Sequence, residues 1–311
     1  MKSEFRLHPS SLILLSHLWL HEPDVETIVR ANDELSLPPA APEELAPAYL
    51  DVFLLNVPPY GTAFTDSFGE LNGPEAQHVA SLYDAHGYHP AELQAVGAPD
   101  HVGLCLGFLA YLEERGLVIS EFPSAWLAWI PVCCLAVERE PSAHPFYRSL
   151  ATKTRAFLFS QCETSSTLVS DYHLPITDHA GDDELTLRYL VRFFLTPARC
   201  GMFLSRSRWG HTANALGMRL PFGSRFDVAE IVFRIAGDSQ RVTELLQALS
   251  EELEQWAAAY RAWSTGYPAW QAFAVRWLRR IDSARQTLAG MREILERPLE
   301  LEPEVHDVAQ R

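Results

Sequence analysis

Asp100 and His101 stand together at the start of an almost wholly apolar segment, residues 102–112. The free N–H groups and the positive end of the helix dipole stabilise a carboxylate at a helix start, so Asp100 could be an N-cap or a first-turn acid. With one oxygen accessible, it could also pair with an arginine of a bound peptide. His101 could supply a hydrogen bond, or a charge that changes near neutral pH. Structural and binding roles both stay open for this pair.

Two groups of side chains could begin a metal site. His17 and His21 are four residues apart, so their rings can meet on one helix face, but no third ligand lies nearby in the sequence. The loop 171–183 is richer in ligands, although a solvated connector has the same composition. Its candidate ligands are Asp171, His173, Asp178, His179, Asp182 and Asp183. We predict no resident metal, and a metal-dependent helical hydrolase using this loop stays an alternative.

Arginines concentrate between residues 185 and 234, although the whole chain carries a net charge of −15. Arg199, Arg206 and Arg208 could contact an apo-enzyme partner, or the phosphate of a nucleotide or of a pterin cofactor, because guanidinium groups bind phosphate in a bidentate manner. Arginines on solvated helix faces are the plainer explanation. A non-catalytic regulatory adaptor that docks an acidic partner is a second alternative. The eight arginines of this window are Arg188, Arg192, Arg199, Arg206, Arg208, Arg219, Arg225 and Arg234.

Other chemistries have no matching motif. The sequence shows no phosphate-binding glycine loop, no GxSxG, and no convincing Ser/His/Asp or Cys/His set. The acidic net charge argues against general nucleic-acid binding, which needs a basic face. An odd number of cysteines without a CxxC motif indicates reduced, mostly buried thiols. We therefore expect a protein that is not an enzyme and binds no nucleic acid. The five cysteines are Cys105, Cys133, Cys134, Cys162 and Cys200.

Helices must position these residues, because apolar side chains recur at helical spacing along most of the chain. The two clearest patterns cover 242–263 and 270–295, and we predict an all-α fold of about eleven helices. Gly103 and Gly107 lie four residues apart on one face, where a second helix can approach closely. No apolar run reaches the roughly 20 residues of a membrane span. With no secretory-signal pattern at the start, we expect a cytoplasmic protein without stable membrane insertion.

Three motif stretches occur in a fixed order. They are YLDVFLLNVPPYGTAF at 49–64, APDHVGLCLGFLAYLEERG at 98–116 and SAWLAWIPVCCLAVEREPSAHPFYRSLATKT at 124–154. In this order they resemble the TorD/DmsD/NarJ family of redox-enzyme maturation chaperones. The PPYGTAF segment is most similar to the DmsD-like branch. The resemblance covers roughly residues 45–160 and implies a TorD-like helical bundle.

The resemblance also implies a function. Such a chaperone contains no cofactor and binds the catalytic subunit of a molybdenum or tungsten oxidoreductase. It often binds through a twin-arginine signal peptide, until molybdopterin is inserted and export begins. Many members carry a glutamate in the helix after the DH pair, where this chain has Cys105 and Gly107, so we expect a more apolar client groove. The residues that match the client-binding positions are Pro59, Tyr60, Phe64, Asp100 and His101.

Composition suggests three parts along the chain. We predict a chaperone core over residues 1–169, a helical C-terminal extension with the arginine-rich segment over 170–298, and an acidic tail over 299–311. The long polar stretch 170–183 is the best candidate boundary. The family resemblance leaves a monomer and a helix-swapped dimer both open.

Overall fold

The computed structural model describes residues 9–67, 73–117, 124–164, 186–219 and 222–296. The predicted all-α class is confirmed, since these residues form α-helices without a strand. A π-helical segment, Leu50–Asn56, and a 3₁₀ turn, Pro268–Trp270, complete the helical elements. The fifteen α-helices are α1 Pro9–Leu20, α2 Val25–Leu35, α3 Pro42–Tyr49, α4 Thr62–Thr65, α5 Pro74–His86, α6 Leu93–Val96, α7 Val102–Glu114, α8 Ser124–Arg139, α9 Pro145–Thr164, α10 Leu187–Leu195, α11 Pro197–Cys200, α12 Arg206–Ala215, α13 Arg225–Asp238, α14 Val242–Gly266 and α15 Gln271–Glu296.

The number of helices exceeds the eleven that the sequence predicts. Three of the additional helices, α4, α6 and α11, are single turns of four residues each. A single turn is too short to show a helical period in the sequence. The two longest predicted patterns are confirmed as α14 and α15.

Helix α7, whose residues 102–110 are all buried except the half-buried Gly107, packs against α1. A Cβ atom on Gly103 would lie 2.5 Å from Cγ of Leu20, and one on Gly107 would lie 3.0 Å from Oγ of Ser16. Ser16 Oγ also donates a hydrogen bond of 2.7 Å to the Gly103 carbonyl. The predicted close approach at these two glycines is therefore confirmed.

Helix α8 contains Pro131, which has no N–H to bond the carbonyl of Leu127 one turn earlier. The indole Nε1 of Trp270 donates to that carbonyl at 2.8 Å. Trp277 Nε1 donates to the next carbonyl, Ala128 O, at 2.7 Å. Two tryptophans from the C-terminal helices thus supply donors to backbone oxygens in and beside the gap that the proline leaves.

The C-terminal helices share one hydrophobic cluster with the N-terminal ones. Polar contacts join the same parts: Arg139 at the end of α8 forms an ion pair of 2.7 Å with Glu252 of α14. Ser207 N, in α12, donates to Asn56 Oδ1 at 2.9 Å. The predicted domain boundary at residue 169 lies outside the described residues, and the three-part division stays a prediction.

Four cysteines are buried, as predicted: Cys105, Cys133, Cys134 and Cys200. Burial raises the pKa of Cys200 to about 12, so its sulfur is a thiol at neutral pH. The side chain of Cys162 lies outside the described part of the chain. Within that part, no helix has both the length and the apolar character that crossing a membrane requires.

The hydrogen bond from the Trp270 indole to Leu127 O is expected to stabilise the fold in addition to the packing of the buried ring. Trp270→Phe should lower the free energy of unfolding by about 1–3 kcal/mol more than a matched control, because a buried carbonyl loses its donor. The control is Trp209→Phe, since the Trp209 indole is almost equally buried but its Nε1 has no hydrogen-bond acceptor among the described residues. Urea denaturation followed by far-UV circular dichroism measures both. Equal losses in the two variants would contradict the role of the hydrogen bond.

Candidate functional site

The first two motif stretches meet in space, as the resemblance implies. Gly61 N donates to Asp100 O at 2.9 Å, and Val102 N donates to Pro59 O at 2.8 Å. Tyr60 and His101 thereby form an isolated antiparallel bridge. We call the paired residues 59–62 and 100–102 the turn–helix junction.

The aromatic residues in and beside the junction are packed against other parts of the chain. The rings of Tyr60 and His101 meet edge to face with centroids 5.0 Å apart, and the Tyr60 hydroxyl donates to Val96 O at 3.0 Å. Phe64 is fully buried between Trp129 and Phe203. Of the five predicted client-binding residues, only Tyr60 keeps a partly exposed side chain. Phe64 is therefore part of the hydrophobic core.

Asp100 caps a different helix from the one expected. His101, not Asp100, is the N-cap of α7, while Asp100 Oδ2 accepts a hydrogen bond of 2.7 Å from Thr62 N at the start of α4. The Asp100 side chain is fully buried, and its Oδ1 has no donor among the described residues. Burial raises the pKa of this carboxyl above its ordinary value, although the bond from Thr62 acts in the opposite direction. The prediction that Asp100 caps or opens α7 is wrong.

His101 is buried and neutral. Its Nδ1 accepts a hydrogen bond of 3.0 Å from Gly103 N, which completes the N-cap and places the ring proton on Nε2. Burial, with a smaller contribution from the charge of His21, lowers the pKa of His101 to about 3. The prediction of a charge that changes near neutral pH is therefore wrong for this residue.

The turn and the helix are bonded directly to each other at the junction, so they are not the two walls of an open groove. Two backbone hydrogen bonds and two side-chain caps hold it, and the side chains of Asp100 and His101 are both buried. The proximity of the two motifs is confirmed. Client binding by Pro59, Tyr60, Phe64, Asp100 and His101 stays a prediction.

The paired histidines of α1 meet as their spacing predicts. The ring centroids of His17 and His21 lie 4.7 Å apart. Burial and the neighbouring His21 lower the pKa of His17. Within the described ranges no group of three or more His, Cys, Asp and Glu side chains could hold a metal ion. The loop 171–183 lies outside those ranges.

The arginine-rich segment binds its own chain at several points. Arg208 donates to Arg139 O at 2.7 Å and lies 3.4 Å from a carboxylate oxygen of Glu252. Arg199 Nε donates to Ser67 O at 2.8 Å. These contacts dock α11 and α12 onto the core. Contact of the predicted set with an apo-enzyme or a cofactor stays a prediction.

Arg206, the third arginine of that set, is placed differently. Its guanidinium lies over the ring of Phe222, 4.8 Å from the centroid, and Phe222 is 86% exposed. Arg206 is therefore the member of the set that lies beside an exposed apolar side chain.

The sequence reasoning missed an apolar groove of about 250 Å³ beside α2. Val25 and Val29 lie at its open side and are 65% and 54% exposed. A signal was present, because two valines at a spacing of four precede the proline-rich stretch 38–42. The lining residues are Val25, Ile28, Val29, Asn32, Pro39, Ala40 and Pro42.

One protein-family model matches the part of the chain that contains both the α2 groove and the turn–helix junction. Residues 22–121 match the model of the nitrate reductase delta subunit family. This stretch contains the α2 groove and both sides of the junction, and it ends before the third motif. No curated protein and no solved structure matches the chain.

The matched family consists of NarJ/TorD-type maturation chaperones of molybdoenzymes. The resemblance seen in the motifs is therefore supported over residues 22–121 at the level of this family. The finer similarity to the DmsD-like branch stays a prediction.

The buried His101 predicts a specific dependence of stability on pH. The folded-state pKa of about 3 lies below the unfolded value, so below about pH 6.5 the unfolded chain binds one more proton at this site. The contribution of the neutral His101 ring to the free energy of unfolding is complete above that pH. It decreases by up to about 1.4 kcal/mol per pH unit as the pH falls below it. The raised pKa of Asp100 acts in the opposite direction, because stability there is lost as the pH rises.

His101→Asn should keep an N-cap acceptor and remove the histidine's share of this slope. Urea denaturation of the wild type and the variant from about pH 7 to about pH 5 measures the difference. The control is His89→Asn, at an exposed histidine, which should leave the slope unchanged. A slope equal in the wild type and His101→Asn would contradict the buried, neutral ring.

Proposed function

We propose that this protein is a cytoplasmic, system-specific chaperone for the catalytic subunit of a molybdopterin oxidoreductase of the DMSO-reductase type. It binds the apo form of that subunit, its twin-arginine leader, or both, and assists insertion of the cofactor before export. The observation that supports this most is the match of residues 22–121 to a family of molybdoenzyme maturation chaperones. The helical scaffold that joins the two matched motifs at the junction agrees with it.

The mechanism is binding and release, without a bond made or broken. A chaperone of this kind must bind the apo subunit more tightly than the loaded one, because only a difference in affinity between two states lets cofactor insertion drive release. The surface it uses must therefore contact a part of the client that changes or becomes buried on loading. Sequestration of the leader over the same period would delay export.

The molybdopterin cofactor is the client's cargo and not a resident group of this chain. If the arginine-rich segment contacts its phosphate during transfer, Arg206 is the best placed, because Arg199 and Arg208 donate to carbonyl groups of the chain itself. The guanidinium of Arg206 lies against the exposed Phe222 ring instead. The proposal holds for a monomer and for a helix-swapped dimer.

The two alternative functions have less support. The hydrolase depends on the loop 171–183, which lies outside the described residues. The adaptor would use the arginine-rich segment to bind an acidic partner. Two of those arginines, Arg199 and Arg208, already bind backbone carbonyls of this chain. No observation on the described residues favours either function over the chaperone.

Capture of a client in its two cofactor states tests the function. The full chain is co-expressed with the catalytic subunit of a molybdopterin oxidoreductase encoded beside it, in cells that make molybdopterin and in cells that cannot. We expect affinity capture of the subunit from the cofactor-deficient cells and about tenfold less from the others, since loading should weaken binding. The control is a subunit without its leader, which separates binding of the leader from binding of the folded body. Equal capture in both cell types, or none, would contradict the proposal.

Tyr60→Ala tests the junction as a contact surface. Tyr60 is the one predicted client-binding residue with a partly exposed side chain, so its truncation should weaken capture of the apo subunit several-fold if the ring contacts the client. Tyr111→Ala removes a comparably placed tyrosine, whose hydroxyl donates to His86 O, and should leave capture unchanged. Thermal unfolding of both variants shows whether a loss of capture is a loss of fold. Unchanged capture with Tyr60→Ala would exclude the ring as a contact.

A further inference from the structure

Helix α2 is apolar on two faces. One face, which includes Ala31 and Leu35, is buried in the core. The other presents Val25 and Val29 to solvent, one helical turn apart. Exposed apolar side chains that line a groove commonly mark an interaction site.

The opposite wall of the groove is stiff. It is formed by Pro39, Ala40 and Pro42, in a segment whose prolines have fixed φ angles. Ile28, which is almost fully buried, forms its floor. Such a wall loses little conformational freedom when a ligand binds, which favours affinity.

The surroundings of the groove are strongly acidic. Residues 22–44 contain seven exposed carboxylates and one base, Arg30, which pairs with Glu34 at 3.1 Å. On α2, Glu26 and Asp33 lie beside Val29 around the helix, on the solvent side of the groove. Glu43 follows Pro42 directly on the opposite wall. The seven carboxylates belong to Glu22, Asp24, Glu26, Asp33, Glu34, Glu43 and Glu44.

We propose that this α2 groove binds a peptide in which arginines or lysines precede a run of apolar residues. The apolar side chains enter the groove between Val29 and the proline wall, and the basic side chains pair with the carboxylates at the rim. An apolar groove that receives the apolar face of a peptide is a recurring mode of recognition. Charge of one sign around it selects a ligand of the opposite sign.

This inference rests on the proposed function for the source of the peptide, because a twin-arginine leader has this chemistry. The leader would then bind at the α2 groove and not at the turn–helix junction, which the family motifs suggest. The match to the chaperone family includes the groove, since it begins at residue 22.

Binding of a defined peptide to the full chain tests the apolar part of the groove. The probe is a synthetic peptide with two adjacent arginines before a segment of leucines and alanines, titrated by isothermal calorimetry. Val29→Asp should weaken its binding at least about tenfold, because a carboxylate replaces an apolar contact. The control Val275→Asp places the same charge at a valine of α15 that is 42% exposed, and it should bind as the wild type does.

A second pair of variants tests the acidic rim. Glu26→Gln combined with Asp33→Asn should weaken binding about threefold at low salt and make it less sensitive to salt, since two attractive charges are lost. The control, Glu113→Gln with Glu114→Gln, removes two exposed carboxylates at the end of α7 and should change neither quantity. A peptide with glutamines in place of both arginines should bind the wild type more weakly.

Three results would overturn the proposal. One is equal binding by Val29→Asp and Val275→Asp, and another is no binding of the peptide by the wild type. The third is a wild-type dimer that Val29→Asp dissociates in analytical ultracentrifugation, which would show that a second copy of this chain covers the groove. Preferential capture of the leader-bearing apo subunit by the wild type, together with equal peptide binding by Val29→Asp and Val275→Asp, would overturn the groove proposal and leave the proposed function standing. The two proposals can therefore be separated.

Discussion

The backbone of α8 imposes the constraint on which most of the fold depends. Pro131 leaves the Leu127 carbonyl without its helical donor, in a helix whose described residues from 126 to 137 are all buried. A buried carbonyl without a donor costs about 1–3 kcal/mol, so something must cover it. Trp270 supplies the donor, and Trp277 does so for the next carbonyl. The helices that the sequence suggested as an extension thus complete the core around α8.

The same helix fixes the turn–helix junction. Trp129 of α8 stacks on Phe64, and a Cβ atom on Gly61 would lie 3.0 Å from the Trp129 ring. The lack of a side chain at residue 61 lets the turn lie this close to α8. Asp100 then caps α4 from across the junction. Several motif residues resemble the family's client-binding positions. In this chain most of them contact one another and α8, and so join three segments of the core.

Sequence reasoning predicted what depends on local pattern. The all-α class, the long helices α14 and α15, and the close approach of a second helix at Gly103 follow from periodicity and from the lack of a Cβ atom, although the pattern did not identify α1 as that helix. The target of Asp100 could not be predicted in this way. A carboxylate before a helix caps whichever free N–H group lies closest, and the N–H group of Thr62 is 38 residues away in the chain. Exposure of Val29 likewise depends on whether another helix covers it.

Reversible binding distinguishes the two candidate surfaces. A client that entered the turn–helix junction would have to break the bonds from Gly61 N to Asp100 O and from Val102 N to Pro59 O. Each of these hydrogen bonds contributes about 1 kcal/mol net to stability. The buried side chains of Asp100 and His101 would also have to lose their contacts across the junction. The α2 groove requires no such opening, because Val25 and Val29 are already exposed beside a stiff wall. A chaperone that must bind and then release its client gains more from a preformed groove than from a contact that also holds its core together.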